Sequence, residues 1–123
     1  MQQDLDRALD RCTSLSPDVR EIGRRDLDLM FRAGSAAAGV ELARFFLSEN
    51  FSCSLEKAEA TELLVREVRL SGDPSAFLNL YYYAGDLVSD DLMFELLQLA
   101  APKCAEAEEI LEARLPGWRH PLA

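Results

Sequence analysis

Two of the chain's prolines directly follow a residue whose side chain can cap a helix, and this placement constrains the fold more than any other feature. Ser16-Pro17 and Asp73-Pro74 each put a capping oxygen before a proline at the first helical position, where the missing N–H has no partner to lose. Ser89 precedes Asp90 and Asp91, so a cap is followed by acids in the first turn, where the helix dipole favours negative charge. Pro102 is placed to open another helix, and Gly34, Gly72 and Gly85 sit where helices should stop. The chain is thereby cut into short segments with short connections.

Within those segments apolar residues recur every three or four positions, as amphipathic helices require. The stripes are Val19, Gly23, Leu27 and Met30; Val40, Ala43 and Leu47 beside Ala38, Leu42 and Phe45; Leu55, Ala58, Val65 and Val68; Leu92, Leu96, Leu99 and Ala100; and Ala107, Ile110 and Leu111. Residues 76–84 (AFLNLYYYA) are apolar nearly all round, and their aromatic content raises β propensity. The Asp-Pro start and the Gly85 stop favour a buried central helix there. The pattern predicts helices over 3–14, 17–33, 36–49, 55–70, 74–84, 90–101 and 103–114. Short connections make consecutive helices antiparallel neighbours. The fold class expected is all-α: stacked antiparallel helical hairpins forming one domain over 1–115, with an irregular tail over 116–123. Trp118 of that tail is expected to fold back over the last helix.

Charge is unevenly spread. Residues 1–33 hold 7 acidic and 6 basic side chains, residues 34–112 hold 15 and 5, and the last residues add Arg114 and Arg119. The negative field of the middle and later chain repels nucleic acid phosphates and anionic membranes and speeds encounter with a basic protein. The plainer reading is that the acid aids solubility. No apolar run approaches the length of a membrane span, and MQQDLDRALDR lacks the apolar core of a secretory signal, so a cytoplasmic location is expected. Cys12, Cys53 and Cys104 are odd in number and widely spaced, which predicts reduced thiols, a disulfide or a zinc site being the alternative.

The chain also repeats. A slide of 38 lays Gly34 on Gly72, Ala38 on Ala76, Leu42 on Leu80 and Phe45 on Tyr83; a slide of 36 lays Phe51 on Leu87 and Ser54 on Asp90. A shorter third copy starts at Pro102. The units are an N-terminal hairpin over 1–33, repeats over 34–71 and 72–101, and a terminal half-repeat over 102–115. In SAAAGVELARFF, LSENFSCSLEKAEATELL and SAFLNLYYYAGDLVSDDLMFELLQLAA the pattern resembles Sel-one-like repeats, a subclass of tetratricopeptide-type hairpins. The resemblance covers roughly residues 26–112. It implies a short α-solenoid whose stacked hairpins share a core and leave a concave surface, and a role in holding protein complexes together. Ala36, Ala37, Ala38, Gly39 and Ala43 would let helices approach closely. Phe45, Phe46, Tyr81, Tyr82, Tyr83 and Phe94 would fill the layers between them.

No arrangement of residues suggests catalysis. The single histidine, His120, is three residues from the end, too exposed a place to activate a thiol. No glycine-rich phosphate loop occurs, and the acid pairs lack the spacing of a calcium loop, so no cofactor and no metal are expected. Tyr81, Tyr82 and Tyr83 point about 100° apart on a helix and cannot all face one core. At least one should reach a surface, where tyrosine is a favoured binding anchor; the plainer reading places all three between helices. Phe51, in a predicted loop, is a second anchor or a plug. Arg20, Arg24, Arg25 and Arg32 give the first hairpin a basic edge, or pair with Glu21, Asp26 and Asp28. The candidate partner-binding set is therefore Tyr81, Tyr82, Tyr83, Phe51, Asp86, Asp90, Asp91 and Glu95. The function expected is a non-catalytic adaptor that binds another protein, with a basic toxin or a complex subunit as the candidates, and neither nucleic acid nor membrane. The alternative is a dedicated inhibitor, such as a bacterial immunity protein that plugs a toxin's basic active site.

Overall fold

The structure, a computed structural model, describes residues 2–49 and 51–114, so the tail expected over 116–123, with Trp118 and His120, lies outside the described residues. The fold is all-α, with no strand among the described residues. Among the described residues seven α-helices follow one another: α1 (Gln2–Cys12), α2 (Pro17–Arg32), α3 (Ala36–Glu49), α4 (Lys57–Ser71), α5 (Pro74–Tyr83), α6 (Asp90–Ala100) and α7 (Ala105–Arg114).

The capping residues act as their sequence positions require. The Ser16 hydroxyl accepts the Val19 N–H at 3.4 Å, the Asp73 carboxylate accepts the Ser75 N–H at 3.0 Å, and the Ser89 hydroxyl accepts the Leu92 N–H at 3.2 Å. Gly34 closes α2 at φ +107°, and the Ser35 N–H reaches back to the Met30 carbonyl at 3.0 Å, a Schellman closure. Gly72 takes φ +66° between α4 and α5. Gly85 instead opens a 3₁₀ turn, Gly85–Leu87, and α5 ends on Ala84 as its C-cap. Pro102 does not open α7: it lies in a 3₁₀ turn, Ala101–Lys103, and the helix starts at Ala105.

The chain divides into two compact units, residues 1–63 and 64–123, with the division inside α4. In the first unit α2 packs closely on α1 and on α3. Two glycines permit this. A Cβ on Gly23 would lie 2.6 Å from the Cys12 nitrogen and 2.8 Å from the Ala8 carbonyl oxygen, both backbone atoms of α1. A Cβ on Gly39 would lie 2.6 Å from the Phe31 ring. Ala38 and Ala43 are buried as expected of close-approach residues, but Ala36 and Ala37 are exposed, because they occupy the outer side of the first turn of α3. Leu5, Ala8, Cys12, Leu27, Leu42 and Leu47 are the main buried residues of this unit.

In the second unit α6 packs on α5 and on α7. Residues 76–84 are helical rather than extended up to Tyr83, and Ala76, Phe77, Leu80 and Ala84 form the buried face. Phe77 is the fully buried aromatic here, whereas Phe94 and Tyr81 are half-buried and Tyr82 and Tyr83 exposed, as Phe45 and Phe46 are half-buried in the first unit. The expected layer-filling role of those six side chains is corrected accordingly. Two stripes also change phase. On α4 the buried face is Ala60, Thr61, Leu64 and Val68; Ala58 is exposed, because Leu55 is buried from the loop before the helix and does not set its register. On α6 the buried arc is Met93, Leu96, Leu97 and Ala100, which leaves Leu99 on an exposed flank.

Candidate functional site

The second unit presents the tyrosines. Successive α5 residues turn by about 100°, so a helix that buries Phe77 and Leu80 swings Tyr82 and Tyr83 outward. Tyr82 is 57% exposed and Tyr83 48% exposed. Tyr81 is half-buried, stacked on Phe77 with centroids 5.9 Å apart and edge-to-face with Tyr82 at 5.2 Å. The Tyr82 hydroxyl donates to the Glu106 carboxylate of α7, and that bond pushes the phenol's pKa upward. Asp86, Asp90 and Asp91 are exposed just beyond α5, beside the exposed Leu87. Glu95 is also exposed but is engaged: the Arg69 guanidinium of α4 donates to it from Nε at 2.8 Å and from Nη2 at 3.2 Å. The pair holds the Glu95 carboxyl below its ordinary range and raises the arginine. Glu106, Glu108, Glu109 and Glu112 are all exposed on α7. The acids and tyrosines predicted as a set thus lie together in one unit, apart from Phe51.

Phe51 belongs to the first unit, where it walls an open groove of about 650 Å³ beside α2. Its ring meets Phe46 edge-to-face at 6.0 Å and carries the Arg24 guanidinium 4.8 Å above its centroid. Arg24 also pairs with Glu49 of α3, and its buried Nε finds no acceptor among the described residues. The basic edge expected on the first hairpin partly dissolves into pairs. Arg25 meets Glu21 at 3.5 Å and Arg32 meets Asp28 at 3.4 Å, both one turn apart on α2, while Arg11 reaches Asp26 across α1 and α2 at 2.6 Å. Arg20 donates to the Ser14 carbonyl at 2.9 Å and so closes the turn before α2.

Asp28, expected from sequence only as a partner for an arginine, also ties a distant loop to α2. It is buried beside Leu27, and its carboxylate accepts the Ser54 N–H at 3.2 and 3.3 Å and the Ser54 hydroxyl. A loop 26 residues away is thereby tied to α2 and Phe51 is held over the groove.

The thiols are not paired with one another: Cys12 is buried, and Cys53 and Cys104 are half-buried. Burial pushes the Cys12 thiol up to about 11 and raises Cys53 as well, which keeps both protonated and weakly nucleophilic near neutral pH. Among the described residues no group of three His, Cys, Asp or Glu side chains is placed to hold a metal ion, and no helix is long and apolar enough to cross a membrane. Comparison with protein-family models, with curated proteins and with solved structures finds no match to this chain.

Proposed function

We propose that this chain is a non-catalytic protein-interaction module, an adaptor built of helical hairpins of the Sel-one-like type, that binds a basic protein in the cytoplasm. The observation that carries the reading is the exposure of Tyr82 and Tyr83 beside Asp86, Leu87, Asp90 and Asp91. Large amphipathic rings left in water next to exposed acids form the kind of surface in which interface hot spots concentrate, with carboxylates to steer a cationic partner. The same acidity also supports the second reading, a dedicated inhibitor that plugs a toxin's basic active site, because 15 of the 22 acids fall between residues 34 and 112.

Affinity capture from the native cell, followed by measurement of the recovered partner's binding, tests the proposal. Tyr82→Ala with Tyr83→Ala should weaken binding at least tenfold, the range of an aromatic hot spot. Partner binding that ignores the tyrosines but collapses with Asp90→Lys and Asp91→Lys would favour the electrostatic plug. Binding unaffected by either pair would refute both readings.

A further inference from the structure

We propose that the Tyr82 ring and the Glu106 carboxylate form a seat for one arginine side chain of the partner protein, an assignment that rests on the reading of this surface as an interaction site. The seat joins two helices of the second unit. Tyr82 stands near the end of α5, Glu106 stands in the first turn of α7, and the phenol donates to the carboxylate.

Both groups keep capacity for a further contact. Tyr81 meets Tyr82 edge-to-face, an arrangement that covers at most one face of the Tyr82 ring. The residue is 57% exposed, so the other face meets solvent. A phenol that donates to a carboxylate gains electron density, which deepens the negative face that attracts a cation. Glu106 is exposed and takes the phenol on one oxygen, which leaves lone pairs on the other for a second donor.

The first unit of the same chain shows the arrangement with all three groups. There the Arg24 guanidinium lies 4.8 Å above the Phe51 centroid and pairs with the Glu49 carboxylate. An aromatic ring, a guanidinium and a glutamate thus satisfy one another. The second unit holds the ring and the glutamate already bonded together, and among the described residues no cation pairs with Glu106 or lies over Tyr82.

Charge and shape select the occupant. An apolar side chain laid on the ring would cover the carboxylate without bonding to it. The net charge of −9 and the exposed Asp90 and Asp91 of the same unit draw in a cation. A guanidinium is planar and weakly hydrated, so it stacks on a ring while its edge donates to a carboxylate. A lysine ammonium is a strongly hydrated point charge and gives up more water to do the same.

The test uses the full chain and two fluorescein-labelled amphipathic peptides of about 18 residues, followed by fluorescence anisotropy. One is built of lysine and leucine; the other has a single central lysine replaced by arginine. The arginine peptide should bind about fivefold more tightly. Tyr82→Leu and, separately, Glu106→Gln should bring the ratio of the two affinities close to one, Tyr82→Trp should keep it, and Tyr83→Leu should weaken both peptides without changing it. The ratio is a readout that a general loss of structure does not produce, and all three positions are exposed. Equal affinity of the parent for the two peptides, or a preference that survives Tyr82→Leu, would overturn the arginine seat and leave the basic-partner reading standing. Failure of both peptides to bind would overturn the two together.

Discussion

The two units expose apolar surface in different electrostatic company. In the first, Leu29 and Phe51 stand beside arginines that are each paired with an acid, Arg24 with Glu49, Arg25 with Glu21 and Arg32 with Asp28. In the second, Tyr82, Tyr83 and Leu87 stand beside aspartates, and the hydroxyl of Tyr82 is itself bound by a carboxylate. Their interiors differ too. The first unit is closed by backbone approach at Gly23 and by the buried Asp28–Ser54 link, with no fully buried aromatic among its described residues. The second is closed around Phe77. Net charge does not separate the two units: residues 1–63 hold 12 acidic and 8 basic side chains, residues 64–123 hold 10 and 5.

The contrast of interiors predicts a ranking of damage. Phe77→Ala should cost the most, about 3–5 kcal/mol in chemical denaturation, because a ring-sized cavity opens with nothing nearby to refill it. Asp28→Ala should cost about 2–3 kcal/mol, since it strips a buried charged acceptor from the Ser54 N–H and hydroxyl together. Proteolysis near residues 51–56 should then accelerate, which Phe77→Ala need not cause. Gly23→Ala should cost about 1–3 kcal/mol, because its Cβ meets α1 backbone that cannot swing aside. Gly39→Ala should cost less, as the Phe31 ring can rotate away; equal costs at the two glycines would mean that α1 and α3 yield alike.

Smaller effects sharpen the picture. Alkylation at pH 8 should modify Cys12 last, with its thiol buried and pushed up to about 11, and mass spectrometry of a time course reads the order. The smallest effect belongs to Glu95. Its folded carboxyl titrates below its ordinary value near 4.5, so the Arg69 pair contributes fully above that value and is lost as pH falls through the depressed one. A melting-temperature profile of Arg69→Ala against the parent should therefore diverge above about pH 4.5 and converge below it, and only slightly, since both groups are exposed.

What sequence could and could not tell follows from range. Ser16, Asp73 and Ser89 bond to amides two or three residues on, so their caps were readable from neighbours alone, and with them the starts of α2, α5 and α6. The exposure of Tyr82 and Tyr83 followed from helical angles once Phe77 was inside. The phase of α4 was not readable, because Leu55 is buried by a loop and imitates a helical stripe. Pro102 fits a first helical turn and a 3₁₀ turn equally well, and what precedes it, α6 running to Ala100, decided the matter. The groove was invisible for a stronger reason: its far wall is fixed by a hydrogen bond between Asp28 and Ser54, and no local pattern announces such a pairing.

The most direct measurement is a pair of NMR titrations of the isotope-labelled full chain, one with a synthetic lysine–leucine peptide of about 18 residues and one with a glutamate–leucine peptide of the same length. The exposed tyrosines and acids predict that the lysine–leucine peptide shifts amides over 81–95 and around Glu106, and that the glutamate–leucine peptide leaves them in place. Shifts from both peptides falling on one shared set of residues would contradict the account.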